Sequence, residues 1–323
     1  MYTSPSVGTL DKATAVMKAF NFYLSEHPAI VRFRWSHPLC WGSTWSFLFS
    51  SIAVYVVVSI FLHLILALLL RRGQRVPLGP LPALHNLTMS LISATIFAGL
   101  LLSASAEIKE TRWLWRRSKT PIEWLLCFPL GTRPSGRVFF WSYIFYLSRF
   151  VNMLSTVLVI LQRRKLVFFQ LFYHAISTFM SFLWLEFSQS FQVLAILFTT
   201  LAFSVMYGYR FWTAIATRGA CLPLVLNCQI VLLGCNLVGH VGVLLLHFFT
   251  GGCNGIGAWV FNSVLNGAIL MLFLNFHMRV YLGKKRKHNK SVGDCEWGEN
   301  KFARSCSVFG AGKEADSNKF KSS

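Results

Sequence analysis

The sequence predicts an all-helical protein that crosses a membrane several times. Three observations carry that expectation. Of 323 residues, 54% are hydrophobic and only 13% are charged, a balance that soluble domains of this size seldom reach. Mean hydropathy is +0.53. The apolar residues also fall in blocks of about 20, the length a helix needs to cross about 30 Å of hydrocarbon.

Seven segments have that length: 46–70, 84–105, 139–161, 166–185, 190–208, 222–249 and 258–282. Residues 1–45 precede them as an N-terminal segment. Its first 30 residues hold polar and charged groups throughout, without the apolar core and small-residue cleavage site of a signal peptide. Residues 46–283 form the membrane domain, and 284–323 a tail that opens with "KKRKHNK" and then turns polar. That composition reads as a disordered basic tail anchored at anionic lipid.

The formal net charge is +20, from 31 basic and 11 acidic residues. The basic groups lie between and beyond the apolar blocks, so membrane flanking explains them better than nucleic-acid binding. Arg71, Arg72 and Arg75 follow the first segment, Arg163, Arg164 and Lys165 the third, and Arg210 and Arg218 the fifth, whereas 186–189 and 250–257 carry no Lys or Arg. The bias puts the N-terminus in the lumen and the C-terminus in the cytosol. One loop opposes it: 106–138, lumenal in this topology, carries Lys109, Arg112, Arg116, Arg117, Lys119, Arg133 and Arg137. Cys127 and Cys253 fall in two different lumenal loops, where disulfides persist, and are expected to pair. Cys221, Cys228 and Cys235 recur every seven residues and read as small packing residues. No His, Cys, Asp and Glu set has metal-ligand spacing, and no Gly-rich phosphate loop occurs.

Polar residues inside the segments share helix faces. Arg149, Asn152, Ser155 and Thr156 follow i, i+3, i+6 and i+7; Gln170, Tyr173 and His174 follow i, i+3 and i+4; Gln229, Asn236 and His240 form a third set, and Tyr207 and Tyr209 stand near the end of the fifth segment. His63, His240 and His247 read as interhelical hydrogen-bond partners. Arg149 is the outlier, because a guanidinium keeps its charge and so requires an anion or water. It points to an internal polar cavity that receives an anionic ligand.

The stretch "YLSRFVNMLSTVLVILQRRKLVFFQLFYHA" resembles the region of ELO-family fatty acid elongases that reads Y-F-S-K-F-x-E-L-L-D-T-V-F-F-V-L-R-K-K followed by F-L-H-x-x-H-H-A. "VMYGYRF" at 205–211 resembles the family's H-x-x-M-Y-x-Y-Y, and "LFLNFHMRVYL" at 272–282 its L-F-x-N-F-Y-x-x-x-Y ending. Order, spacing and seven spans agree over about 46–283. Lys319 and Lys321, three and five places from the C-terminus, resemble the dilysine retrieval signal of endoplasmic reticulum membrane proteins. Such a tail is common in the family, as is a cysteine in each of the loops of Cys127 and Cys253.

The resemblance implies a condensing enzyme of the endoplasmic reticulum membrane. It would join a long-chain acyl-CoA to malonyl-CoA, release carbon dioxide and yield a 3-ketoacyl-CoA two carbons longer, with no bound cofactor or metal. Reductases and a dehydratase of an elongase complex would be its partners, and nucleic acid would not. The implied fold is a ring of six helices, two inverted three-helix units, around an acyl tunnel, with the first helix outside. By alignment Gln170, Tyr173 and His174 take the three histidine positions of the H-x-x-H-H box, and only His174 is kept. Phe203 replaces the histidine before Met-Tyr, Thr199 the asparagine four places earlier. Arg149, Asn152 and Ser155 replace a lysine, a glutamate and an aspartate, with Thr156 retained. Gln229 keeps the first glutamine of a T-x-x-Q-x-x-Q motif.

Imidazole can carry an acyl group or move a proton near neutral pH; a tyrosine phenol, ordinarily of pKa about 10, stays protonated, and Phe203 does neither. His174 is the candidate base or acyl acceptor, Tyr173 a hydrogen-bond donor, Gln170 an orienting group and Arg149 the anion clamp. The alternative is a catalytically inactive ELO-fold protein that binds acyl-CoA or scaffolds other elongases. A third reading, a transporter or channel on the same cavity, predicts flux instead.

Overall fold

The computed structural model describes residues 7–37, 39–69, 77–114, 121–162, 168–215, 222–249, 251–268, 270, 271, 274 and 275. Arg71, Arg72, Arg75, Arg163, Arg164, Lys165, Arg218, Cys221, the 284–323 tail and its Lys319 and Lys321 lie outside the described residues. The chain divides into two compact units, Met1–Leu265 and Asn266–Ser323. Residues 266–268, 270, 271, 274 and 275 of the second unit are helical; everything below concerns the first.

Helix is the only regular structure among the described residues, apart from one isolated bridge between Arg34 and Ser135. The N-terminal segment forms α1 (Val7–Asn21), a π turn (Phe22–Glu26) and α2 (Pro28–Val31). His27 caps α2 by accepting a hydrogen bond from the Ala29 amide through Nδ1 at 3.3 Å, with Pro28 in the first turn. The long helices are α3 (Trp45–Leu69), α4 (Leu81–Leu114), α6 (Arg137–Leu161), α7 (Phe168–Glu186), α8 (Gln192–Ile215) and α9 (Leu222–Phe249), with the short α5 (Pro121–Leu126) between α4 and α6. Residues 256–265 are helical as well. Among the described residues, four helices are long and apolar enough to cross a membrane: Trp45–Leu69, Leu81–Glu110, Arg137–Leu161 and Gln192–Ile215. The chain is a multi-pass membrane protein.

The described helices follow the first six expected segments with one substantial correction; of the seventh, 258–282, residues 269, 272, 273 and 276–282 lie outside the described residues. The segment expected at 84–105 lies within a helix of 34 residues, Leu81–Leu114, so 106–114 is not loop. The apolar run ends near Ala106, but "EIKETRWL" is made of helix-compatible residues and nothing breaks the chain. Its Glu110 meets Arg137 at 2.7 Å, tying the end of α4 to the start of α6.

α4 packs along α8 and α6, α6 on α7, α8 on α9, and α3 on α6 and α7. Phe261 meets Phe179 of α7 at 6.0 Å, and Ser263 bonds His240 of α9 at 3.0 Å. Close approach of α4 and α6 requires Gly99, where an added Cβ would lie 2.1 Å from the Trp141 ring. α3 is the most exposed span, with Phe49, Val54, Val57 and Phe61 turned outward, as a helix facing lipid should be.

One end of the bundle is locked. Asn254 donates through Nδ2 to the carbonyls of Phe187 and Ser188 at 3.2 and 3.0 Å, and accepts from the Gly131 amide through Oδ1 at 3.1 Å. Ser190 Oγ donates to the Asn254 carbonyl at 2.8 Å and accepts from the Phe128 amide at 3.0 Å. These bonds hold Ser188 and Phe191 at φ of 43° and 74°, a region that residues other than glycine rarely adopt. Beside them Cys127 and Cys253 form a disulfide with Cα atoms 5.1 Å apart.

Two expected outcomes follow from this packing. Cys127→Ser with Cys253→Ser lowers stability by about 2–4 kcal/mol, read as a lower unfolding midpoint in detergent. Gly99→Ala costs about 1–3 kcal/mol by displacing Trp141, and an unchanged midpoint would show that the two helices do not meet there.

Candidate active site

The site is built on one face of α6. Arg149, Asn152 and Thr156 are buried and Ser155 half-buried, and each side chain meets a different partner. Thr156 Oγ1 shares a 2.8 Å hydrogen bond with the Tyr55 hydroxyl of α3. Ser155 Oγ lies 3.1 Å from His174 Nε2 of α7, with donor and acceptor set by the ring's tautomer. Asn152 Oδ1 accepts a hydrogen bond from the Tyr207 hydroxyl of α8.

Arg149 is only 2% exposed. Its guanidinium carbon lies 4.1 Å from the centroid of Phe145, one turn earlier on α6, and 4.9 Å from that of Phe203 on α8. Both distances are within cation–π range. Nη2 donates to Ser148 Oγ at 3.1 Å, while Nε and Nη1 are enclosed without a hydrogen-bond partner. Two donors of a fixed cation are thus left unpaired in the interior.

His174 is buried, and its backbone carbonyl accepts from Thr178 Oγ1 at 2.9 Å. Its ring lies edge-on to that of Tyr173 at 5.4 Å. Tyr173 and Val151 pack on a cluster of Met89, Phe203 and Tyr207. Gln170 is half-buried one turn before His174, and Tyr209 half-buried two places beyond Tyr207. Gln229 belongs to α9, but its side chain lies outside the described residues. Direct contacts thus join Arg149, Phe203, Tyr207 and Asn152 in one set, and Ser155 with His174 in another. Tyr173 bridges the two, its ring 5.4 Å from that of His174 and packed on Phe203 and Tyr207, while Thr156 is held apart by Tyr55.

Sequence reasoning left out four participants. Phe145 and Ser148 stand on the Arg149 turn, and the i−4 spacing of Phe145 was a readable signal. Tyr55 arrives from α3, which no motif marks. His85 lies near the start of α4, its ring edge-on to Tyr207 at 6.4 Å and its Nε2 enclosed without a partner. Beyond the anion or water that the sequence predicts for Arg149, two aromatic faces carry part of its stabilisation. Among the described residues no three His, Cys, Asp or Glu side chains gather as a metal site. What the arrangement offers is an imidazole beside a hydroxyl, a buried cation with open donors and an apolar surround. That set suits reactions in which negative charge develops.

Known proteins resemble this chain over most of its length. The family model described as ELO, GNS1/SUR4 family, matches residues 40–289. The chain is 61% identical over 281 residues to a "Fatty acid elongase 3-like" protein of Arabidopsis thaliana, covering 86% of this chain and 97% of that one. It is 27% identical over 274 residues to "Fatty acid elongase A" of Dictyostelium discoideum, covering 80% and 93%. No solved structure gives a significant match.

Tyr207→Phe leaves the Asn152 carbonyl buried and unpaired, which costs about 1 kcal/mol. Asn152→Leu added to Tyr207→Phe recovers part of that loss, and thermal unfolding of the two single and one double variants reads the coupling. Strict additivity would mean that the pair is not formed.

Proposed function

Because the chain belongs to the ELO, GNS1/SUR4, family, we propose that it is a fatty acid elongase that condenses a long-chain acyl-CoA with malonyl-CoA. The observation that carries the mechanism is the His174–Ser155 pair, set by α6 on the same helix face as the buried Arg149 and its unpaired donors. Loss of carbon dioxide from malonyl-CoA leaves an enolate, whose carbon attacks the acyl thioester carbonyl. The new carbon–carbon bond forms as the carbon–sulfur bond breaks, and the coenzyme A thiolate takes a proton. Arg149 Nε and Nη1 stabilise the negative oxygen of the enolate or of the tetrahedral species. His174 moves the proton, and Ser155 holds its ring in orientation. Tyr173 and Gln170 serve as donor and orienting groups toward the thioester.

The contacts of 256–265 with α7 and α9, added to the α6–α4–α8–α9 series, support a closed ring of six helices with α3 outside. The disulfide at the end that carries 187–191 and 251–255 supports placing that end in the lumen and the C-terminus in the cytosol. In this reading Lys319 and Lys321 retain the protein in the endoplasmic reticulum, where reductases and a dehydratase act on its product.

The test is a condensation assay of purified protein with labelled malonyl-CoA and a panel of acyl-CoAs. His174→Ala lowers the rate about 10²- to 10⁴-fold. Ser155→Ala lowers kcat by up to about 10²-fold through misorientation of the imidazole. No ketoacyl product from the wild-type protein, with acyl-CoA still retained, overturns condensation and leaves an acyl-CoA binder.

A further inference from the structure

A cleft that condensation does not use opens between the ends of two spans. It encloses about 580 Å³, and its walls include Arg32, Phe33 and Arg34 of the N-terminal segment, Glu107 and Glu110 of α4 and Arg137 of α6. The floor is fixed by backbone bonds from Gly136 N to the Phe33 carbonyl at 2.8 Å and from Trp35 N to the Pro134 carbonyl at 2.9 Å. Three guanidinium groups and two carboxylates therefore line one space large enough for a small ligand.

Arg137, the most buried charge in this cleft, is incompletely matched. Arg137 is 8% exposed, and its Nη2 meets Glu110 Oε1 at 2.7 Å, yet its Nε and Nη1 make no hydrogen bond. The Glu110 side chain is 61% exposed, so its carboxylate retains acceptor capacity toward the cleft. Arg32 and Arg34 are exposed at the mouth. A simple anion would meet two carboxylates here, and a simple cation three guanidinium groups. A ligand that carries both signs on adjacent atoms satisfies both.

Depth in the membrane identifies the source of such a ligand. The spans Leu81–Glu110 and Arg137–Leu161 end at this cleft, where hydrocarbon gives way to lipid headgroups. The segment that forms the outer wall carries exposed apolar side chains, among them Val16, Met17, Phe20, Tyr23 and, at the rim, Val31. Apolar groups displayed beside basic ones at this level are the pattern of a segment resting in the interface.

We propose that this cleft binds the headgroup of a zwitterionic phospholipid. Its phosphodiester lies against Arg137, Arg32 and Arg34, matching the fork geometry of guanidinium for phosphate oxygens. Its ammonium lies at the exposed carboxylate of Glu110, in the negative potential that Glu107 adds and beside Phe33, an arrangement that also accommodates a quaternary ammonium. The site gives a purpose to Arg137, one of the basic residues whose loop opposes the positive-inside bias.

The test uses full-length protein purified in detergent, delipidated, and titrated with phosphatidylcholine, phosphatidylglycerol or soluble glycerophosphocholine. Native mass spectrometry reads the bound lipid and circular dichroism the helix content. Expected is a single phosphatidylcholine adduct on the wild-type protein, weakened about tenfold or more in Arg137→Gln. The exposed pair Arg32→Gln with Arg34→Gln weakens it similarly at unchanged helix content, which guards against a fold defect in the buried variant. Retention of the adduct by the exposed-pair variant overturns the proposal. Equal binding of phosphatidylglycerol removes the role of the carboxylates and overturns it too. Equal binding of glycerophosphocholine overturns the assignment to a lipid.

Discussion

A guanidinium buried at the centre of a membrane helix is the constraint around which the bundle is arranged. Arg149 stands twelve positions from either end of Arg137–Leu161, about 18 Å from each at the helical rise. That is too far for its side chain to reach water along the helix axis. Its charge is met by Phe145 and Phe203 on its faces and by the Ser148 hydroxyl at one edge. Those partners organise their own neighbours: Phe145 stacks on Trp184 of α7 at 5.8 Å, and Phe203 lies edge-on to Tyr207 at 5.7 Å. One aromatic layer thus joins α6, α7 and α8 at the depth where the cation must be stabilised.

The same layer decides which groups remain for chemistry. Asn152 is engaged by Tyr207, Thr156 by Tyr55, and Ser155 by His174, so most of the polar face is already satisfied. Polar groups held by partners on separate helices cannot rotate freely, which is the condition for preorganised stabilisation of developing charge. The unpaired donors of Arg149 and the unpartnered Nε2 of His85 then stand out against a saturated background. Phe203 has a double role in this account. It removes an imidazole from the position where the family carries one, and it supplies the ring on which Arg149 rests.

The α6 face was legible in the sequence because helical spacing alone puts positions 149, 152, 155 and 156 together. So was the burial of His174, since an apolar helix with one polar stripe turns that stripe inward. The partners were not legible. Which residue of α8 faces Arg149 depends on the crossing of two helices, and no periodicity in either one encodes it. Tyr55 was hidden for the same reason, on a span whose other side chains face outward. The extension of α4 to Leu114 escaped because hydropathy marks where a helix leaves the membrane, while helix propensity and the Arg137–Glu110 pair decide where it stops. Asn254 was invisible as a clamp, because its bonds go to backbone groups of segments distant in the chain.

The two ends of the bundle have opposite character, and the proposed reaction requires that asymmetry. Ser155 and His174 each lie six positions from the ends of their helices at Leu161 and Phe168, about 9 Å. Tyr207 is eight positions from Ile215, about 12 Å. All three sit toward the end opposite Cys127 and Cys253. Coenzyme A is polyanionic and belongs in water, so both thioesters must arrive through that nearer end. An acyl chain attached there can only extend the other way, along the twelve residues from His174 to Glu186, about 18 Å. It would run toward the loop that Asn254 and the disulfide hold rigid. Phe191, kept in a left-handed conformation against Gly239, stands in that loop with no freedom to retreat. In the proposed reaction the lock would then complement Arg149: one would hold the charged head of the reaction, the other would bound the space for its apolar tail.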